Sequence, residues 1–216
     1  MRAVSNMCLA LYEGETYGLV GESGCGKSTT GRSILGLVKP DSGEILYKGQ
    51  DLTRLSDSEF RPLRRDLQMV FQDTLSSLNP RSRVGALLEE PLIVQGMKDG
   101  EERRQKVMEI LGMVGLSDDY YFRYPHELSG GQVQRLGIAR ALIIDPKLII
   151  CDEPVSALDV SIQSQILNML TSLQREMNLS LLFISHDIGV VRYISSRIGV
   201  MYLGTLVEEA GTDELF

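Results

Sequence analysis

The feature that most constrains the fold is a glycine-rich segment near the start of the chain, GESGCGKST at residues 21–29. It follows a short apolar run, TYGLV, and precedes residues that favour a helix. Its first eight residues match the pattern G-x-x-x-x-G-K-[ST], in which glycines let backbone N–H groups converge on a phosphate. A strand, this loop and a helix in that order predict an α/β protein that binds a nucleotide.

The residue types of this loop suggest separate roles. We expect Lys27 to reach the β- and γ-phosphate oxygens and the Ser28 hydroxyl to ligate Mg²⁺. We expect Cys25 to act as a small residue whose backbone amide matters more than its thiol. The predicted nucleotide-binding residues of the loop are Gly21, Glu22, Ser23, Gly24, Cys25, Gly26, Lys27, Ser28 and Thr29.

Strand-sized apolar runs alternate with helical stretches along most of the chain, which predicts a parallel sheet with helices on its faces. The predicted strands are residues 7–12, 16–20, 44–47, 67–71, 148–151, 180–185 and 197–202. The predicted helices are residues 28–37, 83–95, 101–114, 160–177 and 187–195, with one more from LSGGQ through residue 142. Ser56 and Glu59 have the spacing of a capping box for a short helix that ends near Arg65.

The pattern between residues 75 and 124 is helical, and Val107, Ile110, Leu111 and Val114 fall on one face of a predicted helix. We interpret this part as a helical lobe inserted into the α/β core. The expected organisation is one domain over residues 1–216, with a core at about 1–74 and 136–216 and a helical subdomain at about 75–135.

The composition argues against several functional classes of protein. The 22 Lys and Arg against 29 Asp and Glu give a net charge of −7, which argues against a surface that neutralises a nucleic-acid backbone. Cys8, Cys25 and Cys151 are odd in number and far apart, so we expect a reducing cytoplasm and neither a disulfide framework nor a zinc site. No apolar run approaches the roughly 18 residues that a membrane span needs, and we identify no secretory signal.

A second candidate site lies in LIICDE at residues 148–153, where two carboxylates end a predicted strand. In an open parallel sheet ligands bind at that end of the strands. We expect Asp152 to hold Mg²⁺ and Glu153 to act as the general base that activates water. An ordinary acidic turn is the alternative, and the presence of Lys27 favours the catalytic interpretation.

Two further polar residues follow predicted strands. The Gln72 amide could bind the metal or a water molecule and sense the γ-phosphate. His186, in LLFISHD, could donate a hydrogen bond to the γ-phosphate, because the strand order places it on the same edge as Lys27 and Asp152. We assign no chemistry to His126.

The stretch LSGGQ, at residues 128–132, has the composition of a helix start whose free amides bind an anion. Ser129 lies 102 positions after Lys27 (129 minus 27), across the helical lobe. We therefore expect these residues to serve the phosphates of a second chain in a head-to-tail pair. A simple helix cap is the alternative. The residues concerned are Ser129, Gly130, Gly131 and Gln132.

Together these motifs resemble the nucleotide-binding subunits of ABC transporters. They correspond, in order, to the Walker A motif (GESGCGKST), the Q-loop (Gln72), the signature (LSGGQ), the Walker B motif (LIICDE), the D-loop (SALD, 156–159) and the switch histidine (His186). Three longer stretches resemble the dipeptide and oligopeptide importers, a branch that also includes nickel importers: MVFQDTLSSLNPR, YPHELSGGQVQRLGIARAL and CDEPVSALDVSIQSQILNML.

The resemblance implies a P-loop NTPase of the ABC ATPase type, with a RecA-like parallel core, N-terminal antiparallel strands and an inserted helical subdomain. It implies ATP and Mg²⁺, and a dimer that ATP closes and hydrolysis reopens, with Asp159 in the site formed between chains. Gln72, Ser28 and Asp152 would be the metal-binding residues. The second ATPase subunit could be identical or different.

The resemblance also implies further partners and a location. The segment from Asp73 to Arg83 and the helical lobe would contact transmembrane permease subunits at the cytoplasmic face of the membrane. An extracytoplasmic solute-binding protein would act indirectly. The family's adenine-stacking aromatic residue and C-terminal tail find no counterpart, so we expect both ends to be truncated.

Other ABC ATPases are alternatives. A DNA-repair or chromosome-organising ATPase would need a coiled coil between residues 29 and 128, where no heptad run occurs. A translation factor would need a second Walker A motif. A module that binds nucleotide without hydrolysing it is disfavoured by the presence of Glu153 and His186. Import of nickel or another small solute, rather than peptides, stays open.

Overall fold

The computed structural model describes residues 3–216, and a six-stranded sheet forms its centre. The strands of this sheet are β1 (Thr16–Gly21), β4 (Leu67–Val70), β5 (Leu148–Asp152), β6 (Ser180–Ser185), β7 (Arg197–Tyr202) and β8 (Thr205–Gly211). Their order is β4-β5-β6-β1-β7-β8, with parallel pairing throughout except between β7 and β8. A separate antiparallel hairpin joins β2 (Leu46–Tyr47) and β3 (Gln50–Asp51).

Helices cover both faces of the sheet and build the lobe. They are α1 (Lys27–Ile34), α2 (Asp57–Phe60), α3 (Val84–Val94), α4 (Gly100–Met113), α5 (Gly130–Leu142), α6 (Val160–Met177), α7 (Ile188–Ile194) and α8 (Thr212–Leu215). Strand β6 is buried at all six positions, as expected of a parallel strand that is covered on both faces. The parallel core predicted from the sequence is therefore present.

The hydrophobic interior has two parts, one on each face of the sheet. Ile149 and Ile150 are adjacent and both fully buried, yet they belong to different clusters. Successive side chains of a strand point to opposite faces, so one apolar run supplies both clusters. The larger cluster also contains Leu88 and Leu111 of the lobe, so the lobe and the core share one packed interior.

The lobe forms where the helical pattern predicted it. Asp99 caps α4, with its carboxylate accepting the Glu101 N–H at 2.8 Å. Four residues are predicted to share one face of this helix and its C-terminal end: Val107, Ile110, Leu111 and Val114. All four are buried. Helices α3 and α4 begin and end within one residue of their predicted bounds, and α6 matches its predicted bounds.

Some predicted local elements differ from the structure. Residues 7–12 form no strand, although the Ala10 carbonyl accepts a hydrogen bond from Arg197 of β7. Just before this segment, the Ser5 N–H donates to the Gly204 carbonyl in the β7–β8 turn at 2.7 Å. Residues 44–47 contribute only the two-residue strand β2, outside the main sheet. The antiparallel part of the fold is thus the small hairpin and β8, not an N-terminal strand.

Strand β8 was not expected from the sequence. It follows a tight turn in which Leu203 has φ +44° and Gly204 has φ +86°. A leucine in the left-handed region is unusual, so the turn lacks the Asn-Gly or Asp-Gly signal that identifies a hairpin. The strand is also poorly covered, which weakens its hydrophobic pattern.

The capping box at Ser56 is present: the Ser56 N–H donates to Glu59 at 2.9 Å, and α2 begins at the next residue. This helix ends at Phe60 and continues as a short 3₁₀ turn, because Pro62 follows. Helix α1 also ends earlier than predicted, before Gly36, which has φ +66°. None of the helices in residues 3–216 combines the length and the hydropathy of a membrane-spanning segment.

Candidate nucleotide-binding site

The glycine-rich loop lies between the carboxyl end of β1 and the start of α1, near the middle of the sheet. Gly24 and Gly26 have φ +80° and +111°, values that favour glycine. A side chain at Gly26 would also collide with the Ala3 carbonyl and the Met201 side chain. Both the conformation and the packing therefore require glycine at position 26.

Lys27 is buried, with 4% of its surface exposed, and its ammonium group is held by the loop itself. Its Nζ donates to the Gly21 carbonyl at 2.7 Å and to the Glu22 carbonyl at 2.9 Å. The Cys25 thiol is also buried, 3.9 Å from the same Nζ. Two carbonyl acceptors of the loop thus hold a positive charge within the segment predicted to bind phosphate.

Ser28 and Asp152 meet beside this loop. The Ser28 hydroxyl donates to Asp152 Oδ1 at 2.7 Å, while Oδ2 is buried without a partner among the described residues. Burial raises the pKa of Asp152, although the Ser28 hydrogen bond and nearby Arg32 oppose this change. A buried carboxylate oxygen that lacks a donor is a site that a cation can satisfy.

Residues 3–216 contain no cluster of three His, Cys, Asp or Glu side chains suited to a metal ion. The protein would therefore supply only part of a coordination shell here. This donor set fits Mg²⁺, which keeps water ligands and binds through one or two carboxylates together with substrate phosphates. It does not fit zinc, which is usually enclosed by protein ligands.

Glu153 has a strained backbone at the end of β5. Its φ is +49°, in the left-handed region, and its N–H donates to the Ile184 carbonyl at 2.9 Å. Such a conformation costs on the order of 1–3 kcal/mol and persists only where surrounding contacts enforce it. The side chain of Glu153 is only 11% exposed.

Two donors converge on one oxygen of Glu153. Oε2 accepts a hydrogen bond from Gln72 Nε2 at 3.0 Å and lies 3.2 Å from His186 Nδ1. His186 itself is 53% exposed, so its ring can still reach a ligand. The carboxylate is thus oriented by side chains that follow two other strands, β4 and β6.

The sheet order explains why these residues meet. Strands β4, β5, β6 and β1 are consecutive neighbours, and the carboxyl ends of parallel strands share one edge. Residues predicted for the site lie at the end of each strand or just after it: Gln72, Asp152 with Glu153, His186, and the loop with Lys27. His186 therefore lies on the same edge as Lys27 and Asp152, as expected. His126 is instead stacked on Tyr124, in the lobe.

The residues predicted to contact the nucleotide of a second chain lie at the starts of two other helices. Ser129 is the N-cap of α5 and Asp159 is the N-cap of α6. The two helix starts are neighbours, since Gly131 packs against Ile162 of α6. Throughout the described part of the chain, no hydrogen bond or ion pair joins residues 129–132 or Asp159 to the loop at residues 21–29. Polar contacts therefore do not join the two groups within the described part of one chain.

Several polar contacts near the site had no signal in the sequence. Tyr120 OH accepts from Gln132 Nε2 at 2.6 Å, and Thr74 is hydrogen-bonded to Gln134. These residues belong to different elements and share no motif, so only the tertiary structure shows the contacts.

Comparisons with known proteins agree with this arrangement. The family model described as ABC transporter matches residues 4–156. The oligopeptide transport ATP-binding proteins AppF of Bacillus subtilis and OppF of Escherichia coli are 54% and 55% identical to the whole chain. The chain spans 66% and 65% of their lengths, about two thirds. The dipeptide transport ATP-binding protein DppF of Lactococcus lactis is 50% identical, and the chain covers 70% of it.

Solved structures agree as well. The dimeric structure of MJ0796, a bacterial ABC transporter cassette, has a TM-score of 0.88 and 36% identity, and the match covers 97% of this chain and 90% of that one. CbiO1 from Clostridium perfringens, part of the transporter complex cbiONQ, has a TM-score of 0.90 and 30% identity, with 99% and 84% covered. They confirm the predicted ABC ATPase fold. The chain belongs to the ABC transporter family, together with the ATP-binding proteins of oligopeptide and dipeptide transport.

Proposed function

We propose that this chain is the ATP-hydrolysing subunit of an importer of dipeptides or oligopeptides. Its relatives carry the names of oligopeptide, dipeptide and glutathione transport proteins. The observation that carries the proposal is the position of Glu153 Oε2, between Gln72 Nε2 (3.0 Å) and His186 Nδ1 (3.2 Å), next to the glycine-rich loop. A carboxylate held in this way is suited to orient and deprotonate a water molecule.

The loop at residues 21–29 binds the phosphates of ATP through its backbone N–H groups. Lys27 exchanges the carbonyls of Gly21 and Glu22 for the β- and γ-phosphate oxygens. The exchange keeps the ammonium group paired, so its burial adds little cost to binding.

Ser28 and Asp152 hold Mg²⁺ in this proposal, with Gln72 as a third contact. The bound cation supplies charge neutralisation at the β- and γ-phosphate oxygens. Gln72 donates through Nε2 to Glu153, which leaves its Oε1 for the cation or a water ligand. Asp152 provides the buried Oδ2, and Ser28 provides its hydroxyl oxygen.

Glu153 accepts the proton of the attacking water, which makes it the general base. Since Asp152 serves the cation, Glu153 stays available for this step. His186 donates a hydrogen bond to the γ-phosphate, and its exposed ring can make that contact from the end of β6. Together the two residues position the water and the transferred group.

A second ATPase subunit, identical or different, completes each site. Ser129, Gly130, Gly131, Gln132 and Asp159 would contact the nucleotide of that subunit. Support comes from their exposed helix starts and from the lack, among residues 3–216, of hydrogen bonds to the loop of their own chain. ATP drives closure because it binds better to the closed pair than to the open one.

The segment from Asp73 to Arg83 and the helical lobe contact transmembrane subunits, which hold the chain at the cytoplasmic face of the membrane. Leu75, in this segment, exposes 49% of its surface, as a docking residue would. An extracytoplasmic solute-binding protein delivers the peptide and contacts this chain only indirectly. No nucleic acid takes part.

The test is Glu153→Gln in the purified full-length protein. We expect phosphate release to fall at least about 100-fold, with ATP still bound and a dimer accumulating, because the base is lost while the binding groups remain. Glu176→Gln, at an exposed position of α6, is the matched control and should retain activity. Undiminished hydrolysis in Glu153→Gln would contradict the proposed role.

A further inference from the structure

Tyr120 lies in the lobe, immediately before the segment that leads to α5. It belongs to a single 3₁₀ turn, Asp118–Phe122, and its ring packs against the larger hydrophobic cluster. The guanidinium group of Arg123 lies over the ring, 4.2 Å from its centroid. Packing on one side and a cation–π contact on the other hold this ring in place. The hydroxyl group of Tyr120 is therefore a fixed hydrogen-bonding partner.

That hydroxyl fixes Gln132 at the start of α5. Gln132 Nε2 donates to Tyr120 OH at 2.6 Å, while Gln132 Oε1 accepts the Ser129 N–H at 2.9 Å. Only the oxygen of an amide can accept from an N–H group, so the Ser129 contact determines which way the amide points. Both ends of the Gln132 side chain are occupied within its own chain.

These bonds determine which groups at the helix start stay free. The first N–H groups of a helix lack partners inside the helix. Here the Ser129 N–H is bound by the Gln132 side chain at 2.9 Å. Of the N–H groups that follow, those of Gly130 and Gly131 have no side chain of their own to shield them.

We infer that Tyr120 is a positioning residue for this helix start. By holding Gln132, and through it Ser129, it keeps the Gly130 and Gly131 N–H groups directed at a phosphate. The inference rests on the proposed function, because that phosphate belongs to the nucleotide of the second subunit.

The first test is Tyr120→Phe, which removes the hydroxyl and keeps the ring with its Arg123 contact. We expect the maximal rate of ATP hydrolysis to fall about five-fold, the effect of one neutral hydrogen bond. ATP affinity of the single subunit should be unchanged, since its own loop is intact. The matched control is Tyr121→Phe in the same turn, whose hydroxyl contacts Glu89 instead; it should keep the wild-type rate.

The second test is a double-mutant cycle between Tyr120 and Gln132. Gln132→Leu loses both bonds, and adding Tyr120→Phe to it should cause no further loss, because the hydroxyl then has no amide to hold. A filler role for Tyr120 would instead give additive losses, and that outcome would overturn the inference.

The third test asks which site is affected. Mixing Tyr120→Phe with Lys27→Ala leaves the mixed dimer one site with an intact loop and an intact α5 start, so turnover should exceed that of either variant alone. Inactive wild-type protein would overturn the proposed function and this inference with it. Active wild-type protein with an undiminished Tyr120→Phe variant would overturn this inference alone.

Discussion

Thr74 and Gln134 form a buried hydrogen bond of 2.8 Å that joins the segment after Gln72 to helix α5. Thr74 Oγ1 also lies 3.1 Å from the Phe71 carbonyl, but a hydroxyl has only one proton to donate. Rotating the Gln134 amide resolves the conflict: its Nε2, which otherwise has no partner among residues 3–216, donates to Thr74, and Thr74 donates to Phe71. The strand end and the helix are thereby linked through one hydroxyl.

Thr74→Val should lower the free energy of unfolding by about 1–3 kcal/mol, because it leaves the buried Gln134 amide without a partner. The variant keeps the methyl group that packs over Gly137. Urea unfolding measures the change. Thr74→Ser, which keeps the hydroxyl and loses the methyl, should retain the hydrogen bond; equal stability of Thr74→Val and wild type would show that the bond contributes nothing.

Gly26→Ala should destabilise the fold by more than about 2 kcal/mol and abolish ATP binding, since the new methyl group meets the Ala3 carbonyl. Gly24→Ala is the comparison, because its φ is also positive but no atom of the described residues lies within 4 Å of the added carbon. It should cost only about 1 kcal/mol. Thermal unfolding separates the two, and similar losses would show that conformation alone, not packing, requires glycine at position 26.

Stability without Mg²⁺ and nucleotide should depend on pH through Asp152. Burial raises the pKa of Asp152 in the folded state. At a pH between the ordinary and the raised pKa, this carboxyl group is therefore protonated in the folded protein and ionised in the unfolded chain. The unfolding free energy of the wild type relative to Asp152→Asn should therefore fall as the pH rises from the ordinary pKa of a carboxyl group through the raised one. Urea unfolding at a series of pH values tests this; a constant difference would contradict it.

Lys27→Ala and a bulky variant, Ser129→Arg, should each abolish hydrolysis alone and restore it when mixed. With random pairing half of the dimers are mixed and each has one intact site, so recovery of about a quarter of the wild-type rate is expected. Phosphate release measures it. If mixing restores nothing, both residues act on the same nucleotide within one chain.

Hydrophobic patterns over short stretches of sequence predicted most of the fold, because the strands and helices of the parallel core are formed by such stretches. Continuous apolar runs such as LIIC and LLFI became buried strands, and the periodic stretches became α3, α4 and α6. The errors lie where local patterns are weak: residues 7–12 form no strand, and β8 follows a turn with Leu203 in the left-handed region.

The candidate site also has one part that the sequence predicts and another that it does not. Its residue types could be recognised from sequence, because phosphate and metal chemistry requires particular groups at short, regular spacings, as in the loop that contains Lys27. The contacts of Glu153 with Gln72 and His186, and that of Tyr120 with Gln132, depend on the order of strands and the packing of the lobe. Chain folding brings together residues that are distant in sequence, so only the tertiary structure could decide those contacts.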